Sequence, residues 1–531
     1  MKITSQIKKQ KSEIEFVDTL YKTLLGELSF ILNNFHNVKW NLKSWETLIG
    51  PWLSRYIAVI VNRYKNKNNY KNLKITNNKY SLACSDLSEF TLNIQNVDWN
   101  KYLVKRIKKV SIKKKSKFFI KLVKPINSIT KFYLSQKITF IFLRLLLSIL
   151  CFNNKFVFYK PYFGKSFRVL RLFLSLKEVP FIYDRFLDNR WFFPYDKNLR
   201  KKIKIRSSNK SVEEKIVRSL LIESMPTIYL EGFKKMNSLA YKTLFPKKTK
   251  IIFTGPILKD NLFKFWSSAQ ISKGTKLIIK QHGTNYGQIR DWDHEKHEIS
   301  ISNKYLTYGW NSNNKKIFSS CNFYSFKTKN YKDIKNKKIL VVPGDLRFYK
   351  TNNIFFDENI NNTLKLFDNF LKKFDKKELK NIFFKSHPLD SKSNFYLENY
   401  LKKKYKINYL NFNSNLDDLF NKFELIIFFY NSTDFLKMIN TNKMVISVNN
   451  KFFYKTLNKP AFKKFNILKN NCLFFDNTNI LYNHLKTKNL VKWWNSKKTC
   501  RAKKLFKDQF SNSSEKNYSS TLKYLKKLKE N

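Results

Sequence analysis

Three consecutive residues, Gln281, His282 and Gly283, combine a titratable ring with a backbone that can turn sharply. They directly follow the apolar run 276–280, which is typical of a buried β-strand. Ligands of open α/β sheets bind just beyond the carboxyl ends of strands, so a histidine here can act as a general base or hold a phosphate. The segment 281–310 also holds three of the six histidines and three of the ten glycines, which favours this interpretation over a structural turn.

Acidic residues follow this histidine turn, in what the sequence predicts to be a loop. Asp291 and Glu298 are alternative general bases, but carboxylates in a lysine-rich chain more often form surface ion pairs. We therefore rank both below His282. The pair His294 and His297 is close to the zinc-binding HExxH pattern, but that pattern needs its histidines four residues apart and these are three apart. The sequence predicts no metal site.

Two further polar sequences stand at predicted strand ends in the second half of the chain. One contains His387 before a proline, and the other contains Ser432 and Thr433 at the start of a predicted helix. Hydroxyls and free N–H groups at a helix start can bind an anion, although an ordinary helix cap uses the same residues. Because both sequences would lie on neighbouring strands of one domain, we interpret His387, Ser432 and Thr433 as ligands of a phosphate. Gly283 would approach that phosphate from the other domain.

Short apolar runs alternate with helical patterns along the chain, which is the signature of parallel βαβ units. We predict an α/β fold with two Rossmann-like, doubly wound domains that face a cleft. No GxGxxG pattern opens a βαβ unit and no GxxxxGK[ST] sequence is present, which argues against an NAD-dependent enzyme and a P-loop NTPase. The predicted divisions are a helical N-terminal segment, two Rossmann-like domains and C-terminal helices, at 1–75, 76–325, 326–489 and 490–531.

The N-terminal segment is predicted to be helical over residues 11–64, because apolar residues recur there every three or four positions. Gly50 and Pro51 are expected to separate two helices, since both residue types interrupt helical patterns. The tryptophans of this segment are interpreted as core residues and His36 as a structural histidine.

The formal net charge is +66, from 104 Lys and Arg against 38 Asp and Glu. One interpretation is a polyanionic partner such as nucleic acid or an anionic membrane surface. The other is codon bias, because Lys, Asn, Ile, Phe and Tyr are all abundant and the lysines are spread over the whole length. We attribute most of the charge to bias, keep an attraction to anionic lipid, and do not expect nucleic acid as a partner.

The five cysteines lie far apart and form no CxxC pair, which fits a reducing cytoplasm and predicts no disulfide framework. The N-terminus is charged and lacks the apolar core of a signal peptide. The most apolar stretch, Ile138–Phe152, is shorter than the ~20 residues of a membrane helix and contains Arg144. The expected location is cytoplasmic, with peripheral contact at the inner face of the plasma membrane.

Five stretches together form a specific run of motifs: 36–38 with 50–53, 229–233, 281–287, 297–302 with 305–310, and 493–496. This run resembles a family of bacterial surface-carbohydrate transferases without an assigned activity. The resemblance covers most of the chain from about residue 15. Family members carry a strand-containing segment before the first helix, and this chain has no match for it, so the first sheet is expected to lack an N-terminal strand.

More distantly, the layout is similar to GT-B transferases that use cytidine-nucleotide donors. Those enzymes carry a His-Pro motif and a Ser-Ser/Thr motif that contact the donor phosphate, and His387 with its proline and Ser432 with Thr433 match them. His282 with Gly283 matches a His-Gly motif of polyol-phosphate transferases. The resemblance implies a GT-B-like fold that needs neither a metal nor another cofactor.

The resemblance also implies a function in surface polysaccharide biosynthesis. The expected reaction moves a sugar, or a sugar-like or polyol-phosphate unit, from a CMP- or CDP-linked donor to a cell-surface polysaccharide or lipid-linked glycan acceptor. The alternative is a basic protein that binds nucleic acid or an anionic membrane on a decayed transferase fold. Binding that ignores nucleotide identity and collapses with salt would distinguish this alternative.

Overall fold

The computed structural model describes residues 2–70, 80–111, 149, 154–163, 167–179, 182–183, 191–208, 210–255, 260–323, 338–344, 360–386, 397–411, 414, 416–441 and 443–530. The helices of the first half are α1 (Lys2–His36), α2 (Leu42–Lys65), α3 (Leu87–Gln95), α4 (Val97–Ser111), α5 (Phe167–Leu176), α6 (Lys197–Lys201), α7 (Val212–Ser224), α8 (Phe233–Ala240), α9 (Asn261–Ser272) and α10 (Asp293–Ile301). Those of the second half are α11 (Ile360–Leu371), α12 (Lys376–Leu379), α13 (Leu397–Lys402), α14 (Leu416–Leu419), α15 (Thr433–Met438), α16 (Lys451–Thr456), α17 (Lys459–Asn470), α18 (Thr478–Thr487), α19 (Leu490–Asn495), α20 (Lys497–Phe510) and α21 (Glu515–Glu530). Short 3₁₀ turns lie at Lys67–Tyr70, Thr227–Tyr229 and Phe420–Lys422.

Two parallel sheets organise the chain. The first contains β1 (Phe156–Tyr159), β2 (Ile182–Tyr183), β3 (Ile251–Thr254), β4 (Lys276–Lys280), β5 (Lys304–Thr307) and β6 (Ile317–Ser319). The second contains β7 (Ile339–Pro343), β8 (Ile382–Lys385), β9 (Asn408–Leu410), β10 (Leu425–Phe429), β11 (Met444–Val448) and β12 (Phe474–Phe475). Helices cover both faces of such a sheet, which is why most of these strands are continuous apolar runs and not alternating ones.

The strand orders are those of doubly wound folds. The first sheet runs β2-β1-β3-β4-β5-β6, and the second runs β9-β8-β7-β10-β11-β12, the order of a Rossmann domain. In the first sheet Ile278 of β4 is in register with Phe253 of β3, and in the second Ile427 of β10 is in register with Val341 of β7. The predicted α/β, GT-B-like class with two doubly wound sheets is confirmed.

The N-terminal helices differ from the prediction at Gly50 and Pro51. Both residues lie inside α2, and the break between helices falls earlier, where Asn37 has a φ of 53° and Asn41 caps α2. Gly50 marks a close packing contact, because a Cβ there would lie 2.7 Å from the Tyr21 hydroxyl oxygen. The helix therefore continues through a sequence that usually interrupts helices.

The tryptophans of this segment form core, as predicted. Trp45 and Trp52 are fully buried. His36 is structural: its Nε2 lies 3.0 Å from the Tyr229 carbonyl oxygen and its ring stacks on Phe233. Burial lowers the pKa of His36 to about 4, so the ring is neutral at physiological pH.

The stretch after Asp291 is a helix, α10, and the prediction of an acidic loop was wrong for Asp293–Ile301. The helical pattern of this segment is hard to recognise in the sequence, because its two buried residues are Glu298 and Ile301 and only one of them is apolar. α10 packs against α2, β4 and β5, so it joins the N-terminal helices to the first sheet.

The C-terminal helices return to the first sheet. α21 packs against α5, and the Tyr518 hydroxyl of α21 donates to the Arg168 carbonyl oxygen of α5 at 2.7 Å. Between α20 and α21, the Asn512 N–H donates to the Tyr308 carbonyl oxygen beyond β5 at 2.8 Å. The Ser511 hydroxyl, also between α20 and α21, donates to the Leu436 carbonyl oxygen of α15 at 2.6 Å, so the end of the chain contacts elements of both sheets.

Among the described residues, no helix has both the length and the apolar character needed to cross a bilayer. The apolar stretch Ile138–Phe152 lies outside the described residues except for position 149.

Candidate functional site

The turn after β4 is fixed by Gln281, which is fully buried. Its Oε1 accepts the Tyr308 N–H at 2.9 Å and the Trp310 Nε1–H at 2.8 Å. Its Nε2 donates to the Gly283 carbonyl oxygen at 2.8 Å. A single amide therefore ties the ends of β4 and β5 together and sets the direction of His282 between them.

His282 lies at the edge of the first sheet with 19% of its side chain exposed. Its Nδ1 is 3.7 Å from Glu298 Oε1. The Tyr286 hydroxyl lies 3.4–3.5 Å from the two ring nitrogens, and the Tyr162 ring centroid is 5.5 Å away. The ring is thus held from behind by α10 and is partly exposed.

Glu298 is fully buried behind His282. Its two carboxyl oxygens accept the Tyr286 hydroxyl at 3.0 Å and the Tyr305 hydroxyl at 3.3 Å. Burial raises the pKa of Glu298 well above its ordinary value, and the two tyrosine hydrogen bonds oppose that rise. Because Glu298 lies behind His282 and both of its carboxyl oxygens accept tyrosine hydroxyls, any chemistry of Glu298 passes through His282.

The loop after His282 is hydrogen-bonded to the second sheet. The Asn431 side-chain amide, beyond β10, donates to Asn285 Oδ1 and to Gln288 Oε1, each at 2.7 Å. The Asn458 N–H donates to the Gln288 carbonyl oxygen and its side chain to that of Gly287, each at 2.8 Å. The carboxyl ends of the two central strands β4 and β10 therefore meet through this loop, residues 283–290, which we call the histidine loop.

Gly283 and Thr433 also lie close together across this contact. The Thr284 N–H donates to Thr433 Oγ1 at 3.1 Å, and a Cβ at position 283 would lie 3.1 Å from the same oxygen. The sequence predicts that these two residues belong to different domains and contact the same phosphate. The structure brings them together, and glycine provides the room for the approach.

Ser432 begins α15, as expected. Its Oγ accepts the Asp434 N–H and donates to the Tyr430 hydroxyl, both at 3.0 Å. Ser432 is fully buried, whereas Thr433 is partly exposed. The predicted ligand His387 lies outside the described residues, and the strand before it, β8, ends one residue ahead of the buried Ser386.

Asp291 is on the surface. Its carboxylate pairs with Lys296 Nζ at 2.9 Å, and Lys296 also pairs with Asp18 of α1 at 2.8 Å. Such a surface ion pair is the alternative expected for acidic residues in a lysine-rich chain. Within the described part of the chain, no group of three or more His, Cys, Asp or Glu is arranged to hold a metal ion.

No role in the site was predicted from the sequence for several of its residues. Tyr286 and Tyr305 hold Glu298, and Asn285 and Gln288 hold the second domain. Asn285 has a φ of 77° and Gly287 a φ of 68°, so the loop turns in the left-handed region twice. Of these residues, only Gly287 in the turn after His282 could have been recognised from the sequence as a position that requires glycine.

Glu295 provides a pH-dependent prediction. Its carboxylate accepts the Gly287 N–H, and burial raises its pKa from 4.5 to about 7. Below the unfolded pKa of 4.5 the group is neutral in both states; between 4.5 and about 7 only the unfolded chain ionises, so stability falls as the pH rises. We expect Glu295→Gln, which keeps an acceptor, to be more stable than wild type at pH 8 by up to roughly 3 kcal/mol. Urea unfolding at pH 8 and at pH 4 checks this: a gain that persists undiminished at pH 4 contradicts it.

Two doubly wound sheets whose central strands meet at a histidine turn define a GT-B-like α/β protein. The chain belongs to the LIC12162 family of transferases, whose family model matches residues 2–525. It has no match among curated proteins.

Two solved structures are similar to parts of the chain. One is a TarM variant from S. aureus, crystallised with Fondaparinux, alpha-GlcNAc-glycerol and UDP, with 12% identity and a TM-score of 0.34 over 57% of this chain. The chain spans only 59% of the length of that TarM. The other is MurG from Acinetobacter baumannii, with 12% identity and a TM-score of 0.33, over 70% of this chain and 99% of MurG.

Proposed function

We propose that this transferase moves a sugar or sugar-like unit from a CMP- or CDP-linked donor to a cell-surface polysaccharide or lipid-linked glycan, on the cytoplasmic side of the membrane. The observation that carries the proposal is the direct contact between the histidine loop and the turn Asn431–Thr433. The contact brings the turn after His282, the proposed base, next to the turn before α15 that is proposed to bind the donor phosphate, and this supports the proposal. Ligands of such sheets bind at this edge.

His282 is the proposed general base. It takes the proton of the acceptor hydroxyl as that oxygen forms a bond to the sugar carbon, and the bond from that carbon to the donor phosphate breaks. The phosphate leaves with the nucleotide and keeps the electron pair. Glu298 positions His282 from behind, since its carboxyl oxygen lies 3.7 Å from His282 Nδ1. Glu298 is itself fully buried and is held by the hydroxyls of Tyr286 and Tyr305. Asp291, paired with Lys296, is the weakest of the proposed bases.

The donor phosphate is proposed to lie at the turn before α15, on Ser432 and Thr433 with Gly283 opposite, and to contact His387. The hydroxyl of Ser432 already accepts a helix N–H, and that of Thr433 accepts the Thr284 N–H. These groups are therefore held in place before a ligand arrives. An anion on this turn would also lie beside the partly exposed ring of His282, as transfer requires.

A thermal-shift screen tests the donor site. Purified protein is heated with CMP, CDP, UDP, GDP and ADP at high salt, where binding by charge alone is screened. We expect a cytidine-selective rise of the melting temperature that Ser432→Ala or Thr433→Val abolishes. Thr441→Val is the matched control, because Thr441 lies just beyond the other end of α15 and its Oγ1 bonds only locally, to the Met438 carbonyl oxygen and the Lys443 N–H.

Two outcomes would contradict the proposal. Equal shifts with every nucleotide that fade as salt rises would indicate binding by the +66 charge alone, as in the alternative of a basic binding protein on a decayed fold. A cytidine-selective shift that survives both Ser432→Ala and Thr433→Val would place the nucleotide elsewhere.

A further inference from the structure

A cavity of about 680 Å³ lies between α1, α2 and α10. Its volume is within the range of small-molecule sites. The helix α10 separates it from the candidate active site: Glu298 of α10 faces His282, whereas Lys296, His297 and Ser300 line the cavity. The roles proposed above for the histidine loop do not involve this cavity.

The charge of the wall differs from that of the rest of the chain. Five of the 38 acidic residues line this one cavity: Asp18, Glu46, Asp291, Asp293 and Glu295. They face four cations, Lys22, Arg55, Lys296 and Lys316. The charges nearly cancel, in a chain of net charge +66. Such a wall gives no selective attraction to a phosphate, unlike the remainder of the surface, and it offers carboxylate acceptors beside ammonium donors.

His297 provides the polar group that needs a partner. Its Nε2 is buried and makes no hydrogen bond within the described structure. Burial lowers the pKa of His297 to about 3, so the ring is neutral and Nε2 can accept or donate one hydrogen bond. A buried polar atom without a partner destabilises the fold, and a hydrogen bond from a ligand hydroxyl would remove that cost.

The remaining lining is suited to the carbon face of a sugar. Ile14, Val17 and Leu25 of α1 form an apolar side beside the Tyr21 ring. Opposite them, Glu46 accepts the Tyr21 hydroxyl at 3.2 Å and the Ser300 hydroxyl at 2.6 Å. The wall therefore combines an apolar surface with a hydroxyl and carboxylate network, which is the mixture that a polyhydroxylated ring requires.

We propose that this cavity binds a neutral saccharide, which in the working enzyme is a unit of the acceptor glycan. The assignment of this saccharide to the acceptor glycan rests on the proposed function, whereas saccharide binding does not. The sugar contacts α10 on the face next to Glu298. A bound sugar therefore packs against the same helix whose Glu298 lies behind His282. The nucleotide site at Ser432 and Thr433 lies on the other sheet and is separate.

Two half-exposed leucines give a matched pair of variants. Leu42 lines the cavity and is 50% exposed, whereas Leu92 of α3 does not line it and is 47% exposed. The probe is an array of neutral bacterial oligosaccharides without nucleotide, followed by titration of the best binder. We expect Leu42→Trp to weaken that binding by at least about tenfold, because the indole occupies the cavity, and Leu92→Trp to leave it unchanged.

Two histidines give a second pair. His297→Phe keeps the ring shape and removes Nε2, and His484→Phe does the same to a buried unpartnered Nε2 beside Trp493, away from the cavity. We expect only His297→Phe to weaken saccharide binding, by about tenfold. The proposal is overturned if no neutral oligosaccharide binds, if only anionic ones bind in a salt-sensitive way, or if Leu42→Trp and His297→Phe bind as wild type.

The cytidine-selective thermal shift separates this proposal from the proposed function. A Leu42→Trp protein that loses saccharide binding and keeps the shift supports both. Saccharide binding without any nucleotide shift keeps the cavity site and contradicts the donor site.

Discussion

Substitution of His282 by asparagine is expected to lower the rate of sugar transfer by about 10²–10⁴-fold, the usual contribution of a general base. Asparagine has no group that can take the acceptor proton at neutral pH. The ring is partly exposed, and its contacts with Glu298 and Tyr286 are long, 3.7 Å and 3.4–3.5 Å. The measurement is a single-turnover rate at saturating donor, with the nucleotide found by the thermal-shift screen.

The control for this variant is His484→Asn, which changes a buried histidine that contacts Phe475 and Trp493, away from the candidate site. It should transfer at the wild-type rate. Nucleotide binding of His282→Asn should also match wild type, because Ser432 and Thr433, whose side chains are proposed to hold the phosphate, are on the other sheet. A transfer rate within a few-fold of wild type would mean that His282 is not the base.

The fold could be predicted from the sequence because parallel strands buried on both faces become continuous apolar runs. The run 276–280 is such a strand, and the turn that follows it brought His282 to the edge of the sheet. The placement of Ser432 at the start of α15 followed in the same way from the run 424–430. A strand end is a local feature, and local features are visible in a single sequence.

The contact between the sheets could not be predicted in this way. It depends on side-chain amides, of Asn431 to Asn285 and Gln288 and of Asn458 to Gly287. In a chain rich in asparagine, such residues do not stand out from the composition. The pairing also joins positions 146 and 171 residues apart, which no periodicity connects.

Two helical features were misread for physical reasons that the packing explains. α10 buries Glu298, so its inward face lacks the apolar repeat by which a helix is recognised. α2 keeps Gly50 and Pro51 in its interior because other helices pack against it: Tyr21 of α1 and His297 of α10 both come within 3.0 Å of the place where a Cβ of residue 50 would stand. Tertiary packing thus overrides local preference at both places.

Alanine at position 287 is expected to cost about 2–4 kcal/mol of stability, the sum of backbone strain and a clash. Gly287 has a φ of 68°, and a Cβ there would lie 2.5 Å from the Trp310 ring, which is buried against Gln281. Because the ring cannot withdraw without breaking its hydrogen bond to Gln281, the histidine loop itself must shift. We therefore expect Gly287→Ala to lower transfer as well as stability.

Two other glycines allow the cost of the backbone strain to be separated from the cost of the clash. Gly274 has a φ of 94° and no atom within 4 Å of a built Cβ, so Gly274→Ala should cost only the backbone term of about 1–2 kcal/mol. Gly26 is exposed within α1 with the same free space, so Gly26→Ala should gain about 0.5–1 kcal/mol. Denaturation midpoints in urea should therefore rank Gly26→Ala above wild type, then Gly274→Ala, then Gly287→Ala. A Gly287→Ala protein as stable as Gly274→Ala would show that Trp310 yields freely, and the proposed rigidity of the turn that carries His282 would then be wrong.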